Sequence, residues 1–197
     1  MNPRRAFLVA TAAALTGCAV TQQPPPPAGA RAKLWTGRFS ATYPDPQSAD
    51  GRGRASGRFR LERLPDEELM LELATPLGQL IARARVGASH AELQDSRGDL
   101  HHAASDELLT ERLFGWRIPV RALPGWLDPP REPVTTQAGE NRLPSAIPAD
   151  PFASQGWSIQ YTSLQAGRPR ILELGFPARE PDTLRQLRLR LVIDSAS

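Results

Sequence analysis

Cysteine is almost absent from this chain of 197 residues, whose only thiol is Cys18. An intramolecular disulfide is therefore excluded, and the fold must be held by its core even in an oxidising compartment. Long apolar stretches are also missing. The N-terminal stretch Ala6–Leu15 has the length of a signal-peptide core and falls well short of the roughly 20 residues that a membrane-spanning helix needs.

Catalytic motifs are missing as well. The sequence contains no G-x-S-x-G, no Walker loop and no H-E-x-x-H. Its only histidines are His90, His101 and His102, and adjacent residues of a strand point to opposite faces, which is poor geometry for a metal. We expect that the protein is not an enzyme and holds no metal or cofactor. Because no nucleotide site is found, any process that it carries out must be thermodynamically downhill. Four acids fall in predicted turns or at a helix start, where capping explains them: Asp95, Asp99, Asp106 and Glu107.

Charge gives no sign of a nucleic-acid partner. The formal net charge of +3 comes from 24 basic and 21 acidic residues, and loss of Arg4 and Arg5 with residues 1–17 lowers it to +1. Basic residues alternate with acidic and apolar ones instead of forming a stripe, which indicates solvated strand faces.

The N-terminus has the order of a bacterial lipoprotein signal: the basic pair Arg4-Arg5, the apolar stretch, then Leu15-Thr16-Gly17-Cys18, which resembles a lipobox. We expect residues 1–17 to be a signal peptide and Cys18 to be acylated; a plain signal peptide with a stray cysteine is the alternative. Ala19, in place of an aspartate, implies sorting to the outer membrane. The arginine pair leaves the general and twin-arginine export routes open.

Two further segments follow the signal. Residues 18–32 comprise the acylated cysteine and a tether, because the four prolines in Thr21–Ala30 favour an extended polyproline II chain. Residues 33–197 suit one domain.

Alternation of apolar and polar residues predicts a mainly β fold, a single curved antiparallel sheet with one dry face. The predicted strands are Leu34–Tyr43, Arg54–Leu61, Glu68–Thr75, Gln79–Val86, His90–Gln94, Gly156–Tyr161, Arg170–Phe176 and Gln186–Ile193.

Helix is scarce. Ser105 predicts the N-cap of a helix that ends at Gly115, and a short turn is expected over Val120–Leu127, interrupted by Pro124-Gly125. Prolines over residues 128–151 predict an irregular connection, with a short strand near Arg142–Ile147. So few helices would leave part of the concave dry face open to an apolar ligand.

The loop Pro76-Leu77-Gly78 holds an aliphatic side chain where turn tips are usually polar. Two interpretations stay open for Leu77 on these residues alone: an exposed leucine with a use, or one folded back on the sheet.

Several blocks in this order resemble the LolB family of outer-membrane lipoproteins. They are Thr36–Ser40, Leu69–Gln79, Leu93–Leu109, Gly115–Leu127 and Gly156–Tyr161. The chain departs from the family pattern at Asp128-Pro129-Pro130 and lacks its terminal aromatic residue.

The resemblance implies a half-open barrel with a helical lid over an apolar cavity, and a loop whose hydrophobic tip, here Leu77, is needed to release cargo into the membrane. It implies a monomer at the periplasmic face of the outer membrane that accepts triacylated lipoproteins from the carrier LolA. We expect acyl chains to contact residues among Trp35, Phe39, Phe59, Leu71, Leu73, Trp116, Trp126 and Trp157. A structural or assembly lipoprotein that binds another envelope protein is the alternative.

Overall fold

The computed structural model describes residues 33–129, 148, 150–177 and 186–197. The signal peptide, Cys18, the tether and the strand expected near residues 142–147 therefore lie outside the described residues. Within them, no helix is long and apolar enough to cross a bilayer.

One antiparallel sheet of ten strands forms the described part of the domain. The strands are β1 (Lys33–Pro44), β2 (Arg52–Arg63), β3 (Leu69–Ala74), β4 (Leu80–Val86), β5 (Ala91–Asp95), β6 (Leu100–Ala103), β7 (Phe152–Ser154), β8 (Trp157–Gln165), β9 (Arg168–Phe176) and β10 (Leu187–Ala196). Their spatial order is β6-β5-β4-β3-β2-β1-β10-β9-β8-β7, so the sheet is open, with β6 and β7 at its two edges. The predicted fold class is confirmed.

All eight predicted strands are present, and two were missed. Strands β6 and β7 have only four and three residues, too few for alternation to show. Both are edge strands, and short edges limit unwanted pairing with other chains.

Two short helices, α1 (Asp106–Phe114) and α2 (Leu123–Leu127), follow β6. The predicted ends of α1 are confirmed: the Ser105 hydroxyl accepts a hydrogen bond from the Leu108 amide, and Gly115 closes the helix in the left-handed region at φ 76°. The expected interruption at Pro124-Gly125 was wrong. Pro124 lies in the first turn of α2, where a missing amide proton leaves no helical bond unmade.

The apolar face of the sheet and the two helices enclose the core. Three of the four tryptophans, Trp35, Trp126 and Trp157, are among its most buried large side chains, together with Leu61, Leu109, Ile159 and Leu172. The opposite face is polar and carries ion pairs between neighbouring strands, for example Arg83 with Glu72 at 2.7 Å and Arg190 with Glu173 at 2.7 Å. This division explains the alternation in the sequence.

Candidate functional site: an apolar pocket and a protruding leucine

A pocket of about 410 Å³ lies between the apolar face of the sheet and the helical segment, which is residues 106–127 and contains α1 and α2. Volumes of roughly 300–1,000 Å³ are typical of sites for small apolar ligands. Its sheet side is formed by β1 to β5 and β10, and its other wall by residues 110–127. The side chains that line it are Phe39, Ala41, Tyr43, Ala55, Phe59, Leu61, Leu71, Leu73, Ile81, Ala82, Ala84, Leu93, Thr110, Phe114, Trp116, Ile118, Val120, Leu123, Leu127, Leu187, Leu189 and Leu191.

The one aliphatic hydroxyl in this lining is already satisfied. Thr110 is buried in α1, its Oγ1 donates to the carbonyl of Asp106 at 2.9 Å, and it accepts from the Ile118 amide at 2.9 Å. A hydroxyl with both roles filled has little left to offer a polar ligand. The wall therefore suits hydrocarbon.

Aromatic rings on the floor of the pocket lie over glycines of the neighbouring strand. Phe39 is directly opposite Gly57, and Phe59 is directly opposite Gly37. A Cβ at Gly57 would lie 2.8 Å from the Phe39 ring, and one at Gly37 would lie 2.6 Å from the Phe59 ring. Only a residue without a side chain leaves room for a ring to lie against the sheet, and such a ring shields the glycine in return. These pairs give the floor a smooth apolar surface.

A buried carboxylate joins the start of α1 to the 3₁₀ turn Val120–Ala122, which precedes α2. Asp106 is 1% exposed; its oxygens accept from the Arg121 amide at 2.8 Å and from Arg121 Nε at 3.2 Å. Arg121 Nη1 also donates to the carbonyl of Ala88 at 3.0 Å, in the connection between β4 and β5. Burial raises the pKa of Asp106, the nearby Glu107 carboxylate adds to the rise, and Arg121 opposes it. From the sequence, Asp106 is explained by capping alone. Its hydrogen bonds to Arg121 show that it also links two segments of the chain.

Two further hydrogen bonds hold the helical segment against β8. The Trp157 indole donates to the carbonyl of Arg117 at 3.2 Å, and the Tyr161 hydroxyl donates to the carbonyl of Trp126 at 3.0 Å. Burial raises the pKa of Tyr161, so the hydroxyl remains a donor. Polar tips on buried aromatic residues thus fix the segment at defined points.

The structure places five of the eight candidate acyl contacts in the pocket lining: Phe39, Phe59, Leu71, Leu73 and Trp116. It does not bring the other three to the pocket. Trp35, Trp126 and Trp157 are each 1% exposed or less and pack in the core, where Trp126 and Trp157 contact each other with ring centroids 6.2 Å apart. Residue type could not separate the two groups, because a large aromatic residue serves equally well as core or as lining.

Several lining residues were missed by the sequence analysis. Ala41, Tyr43 and Leu189 stand on the predicted inward faces of their strands and could have been selected by that alternation. Ile81 could not. Leu73 pairs with Ala82 and Ala74 pairs with Leu80, so Ile81 is the extra residue of a bulge. The bulge brings Ile81 to the lining, whereas alternation had predicted Leu80 for the inward face.

The loop between β3 and β4 holds Leu77 out of the fold. The Gly78 amide donates to the Thr75 carbonyl at 2.9 Å, and the Gln79 amide donates to the Thr75 hydroxyl at 3.1 Å. Pro76 has the fixed φ that suits the second position of this turn, and Gly78 adopts φ 88°, which favours glycine. Leu77 is 91% exposed. The alternative in which Leu77 folds back on the sheet does not hold.

The histidines have nearby carboxylates but form no cluster. His101 lies 3.4 Å from Asp95 and His102 lies 3.6 Å from Glu92, on different faces of the sheet. Among the described residues, no group of three or more histidine, cysteine or acidic side chains is arranged to hold a metal ion.

Comparison with known proteins agrees with this architecture. A family model described as outer membrane lipoprotein LolB matches residues 34–195. The outer-membrane lipoprotein LolB of Azoarcus sp. (strain BH72) is 32% identical over 211 aligned positions, which cover 98% of this chain and 97% of the relative. That of Cupriavidus pinatubonensis is 30% identical over 74% of this chain and 72% of its own. That of Thiobacillus denitrificans is 30% identical over 98% and 96%. The chain belongs to the LolB family of outer-membrane lipoproteins.

Proposed function

We propose that this chain is a lipid-anchored receptor at the periplasmic face of the outer membrane. It accepts triacylated lipoproteins from the periplasmic carrier LolA in the apolar pocket and inserts them into the membrane. Cys18 is the acylated residue, residues 18–32 are the tether, and residues 33–197 form the receptor domain. The observation that carries the proposal is the pocket, whose lining offers hydrocarbon a dry wall beside an exposed leucine.

The energetics of an acyl chain explain why such a pocket is needed. Each buried CH₂ group contributes about 0.8 kcal/mol, so a single long chain in water costs on the order of 10 kcal/mol. A receiver must therefore keep the chain dry during transfer. Without a nucleotide the cargo moves only downhill, so the pocket must bind acyl chains more tightly than the carrier does and less tightly than the bilayer.

Leu77 directs the last step. Full burial of a leucine side chain contributes roughly 1.5–3 kcal/mol, too little to anchor a protein but enough to favour orientations in which the loop enters the lipid. The β3–β4 turn fixes the leucine at the tip, and Leu71, Leu73 and Ile81, on the same two strands, line the pocket. The tip and the lining thus form one path along a single hairpin.

The test separates uptake from insertion. We expect Leu77→Glu to accept cargo from the carrier as the wild type does, and to insert it into liposomes much more slowly, because a carboxylate resists entry into hydrocarbon. Leu77→Ile is the matched control and should insert normally. Equal insertion by the glutamate variant and the wild type would remove the role of the loop.

A second experiment addresses the anchor. A Cys18→Ala chain should still accept cargo from the carrier, because the pocket lies in the domain and not in the tether. Failure of that chain to accept any cargo would show that the anchor does more than localise the protein. Absence of any acyl binding would favour the alternative, an assembly lipoprotein that binds another envelope protein.

A further inference from the structure

Three arginines surround a shallow hollow on the outer, polar face of the sheet. The hollow has a volume of about 410 Å³ and is lined by Arg38 of β1 and by Arg58 and Arg60 of β2, with Glu72 and Asp194 beside them. Arg38 and Arg58 are directly opposite each other on neighbouring strands. Like charges in that position disfavour strand pairing unless an anion lies between them.

The carboxylates nearby neutralise this group only in part. Asp194 accepts from Arg38 at 3.2 Å and also lies 3.6 Å from Arg170. Two other carboxylates are also paired: Glu62 with Arg60 at 2.7 Å, and Glu72 with Arg83 at 2.7 Å. The side chain of Arg58 is exposed and has no carboxylate partner within the part of the chain that the structure describes. The hollow therefore carries excess positive charge.

The position of the hollow relates it to the membrane. Arg58 pairs with Ala74, the last residue of β3, and Leu77 follows three residues later. At about 3.3 Å per residue, Arg58 lies within about 10 Å of the tip along the strand direction. The headgroup layer of a bilayer is roughly 5–7 Å thick on each side of the hydrocarbon. A long arginine side chain spans the remaining distance when Leu77 is at the hydrocarbon boundary.

We propose that Arg38 and Arg58 bind the phosphate groups of lipid headgroups while Leu77 enters the bilayer, and that Arg60, farther from the tip, adds positive charge behind them. The proposal rests on the membrane role proposed for Leu77. The guanidinium group presents its donors in a planar fork that matches phosphate oxygens, and arginine dehydrates more readily than lysine. The site thus adds lipid affinity and an orientation that one leucine cannot supply alone.

The test measures vesicle binding by the Cys18→Ala chain, which has no acyl anchor. Vesicles are made of phosphatidylcholine alone or of an equimolar mixture with phosphatidylglycerol. We expect the mixed vesicles to bind more tightly, and each of Arg38→Gln and Arg58→Gln to weaken that binding about fivefold. Arg85→Gln is the control: it removes the same charge from the same face, but at an arginine that pairs with Glu68 at 2.7 Å and lies opposite Met70, farther from Leu77 than Arg58 does. It should change binding much less.

Other outcomes would overturn the lipid assignment. Equal weakening by Arg85→Gln would mean diffuse attraction without a site, and unchanged binding by both hollow variants would remove the site. Unchanged vesicle binding with impaired handover from the carrier would assign the hollow to a protein partner. Inorganic phosphate alone is the last arm: NMR shifts at Arg58 on adding it, with unchanged vesicle binding by the variants, would indicate a site for free phosphate instead.

This result is distinguishable from failure of the function proposed above. The arginine variants should bind a fluorescent acyl probe as tightly as the wild type does, because the hollow and the pocket lie on opposite faces of the sheet. Arginine-dependent vesicle binding together with normal cargo insertion by Leu77→Glu would remove the loop's role and leave the phosphate site standing.

Discussion

The apolar face of the sheet has a packed half and a half that forms the pocket, called here the pocket half, and single strands pass from one to the other. In β3, Leu69 is 3% exposed and Leu73 is only partly buried; in β1, Trp35 is 1% exposed and Phe39 is only partly buried. The packed half holds Trp35, Trp126 and Trp157 and the hydrogen-bonded ends of the helical segment. The pocket half holds the glycine–aromatic pairs and lies toward the end of the sheet that carries the Leu77 loop.

This difference indicates a division of labour along each strand. A fully packed interior gives stability but leaves no room for a ligand, and an open apolar surface gives room at the expense of contacts. The same alternating pattern serves both halves. What changes is the space above the strands: core side chains fill it in one half, and it is left open as the pocket in the other.

The largest expected effect compares two leucines on one strand. Leu69→Ala should lower the free energy of unfolding by about 2–5 kcal/mol, because it leaves a cavity in a packed site. Leu73→Ala removes the same atoms from the same face but from a partly hydrated site, so the loss should stay below about 1.5 kcal/mol. Urea unfolding of both variants measures the difference. Equal losses would mean that the two halves are packed alike.

A second comparison concerns the glycines of the pocket floor. A Cβ on Gly57 would lie 2.1 Å from the Ala74 carbonyl oxygen and 2.8 Å from the Phe39 ring, so Gly57→Ala should cost about 1–3 kcal/mol. At Gly175 a Cβ would meet its nearest neighbour, Gln186, at 3.6 Å. Gly175→Ala should therefore be close to neutral. A tolerated Gly57→Ala in thermal unfolding would show that the floor adjusts easily.

A third prediction concerns the buried carboxylate that holds the packed end of the helical segment. Because the pKa of Asp106 is raised in the folded state, the folded protein retains this proton more tightly than the unfolded chain does. Its contribution to stability is complete below the ordinary Asp value and declines as pH rises through the raised pKa. Stability of the wild type relative to Asp106→Asn should thus fall from about pH 4 upward. A relative stability that rises with pH would contradict this direction.

The smallest expected effect lies outside both halves. Leu77 contributes to neither, so Leu77→Glu should change the free energy of unfolding by less than about 0.5 kcal/mol. Urea unfolding in parallel with the insertion assay gives this value. A larger loss would mean that a defect in cargo insertion reflects instability and not the loop itself.

Much of the fold could be predicted from the sequence because its signals are local. Alternation identified eight strands, and Ser105 and Gly115 marked the ends of α1. The two short edge strands carry no such signal, and Pro124 was taken as a break although a first turn tolerates it. These misses concern elements of three to five residues, where neighbours in space decide the conformation.

The site was less accessible to sequence reasoning. Leu77 stood out because its turn context conflicts with its side chain, and Phe39 and Phe59 lay on a predicted inward face. Nothing local distinguishes them from Trp35, because burial depends on what covers each position. The bulge at Ile81 and the pairing of Asp106 with Arg121 are likewise products of register and packing between segments distant in the chain.

Titration of the Cys18→Ala chain with a fluorescent fatty acyl probe tests most directly whether the pocket half binds hydrocarbon. We expect saturable binding that is weakened in Ala41→Phe, whose ring takes up part of the pocket, and unchanged in Arg190→Gln on the opposite face. Native mass spectrometry should show the probe bound to the wild type and less of it bound to Ala41→Phe. No binding by the wild type, or equal binding by Ala41→Phe, would contradict an acyl-binding pocket.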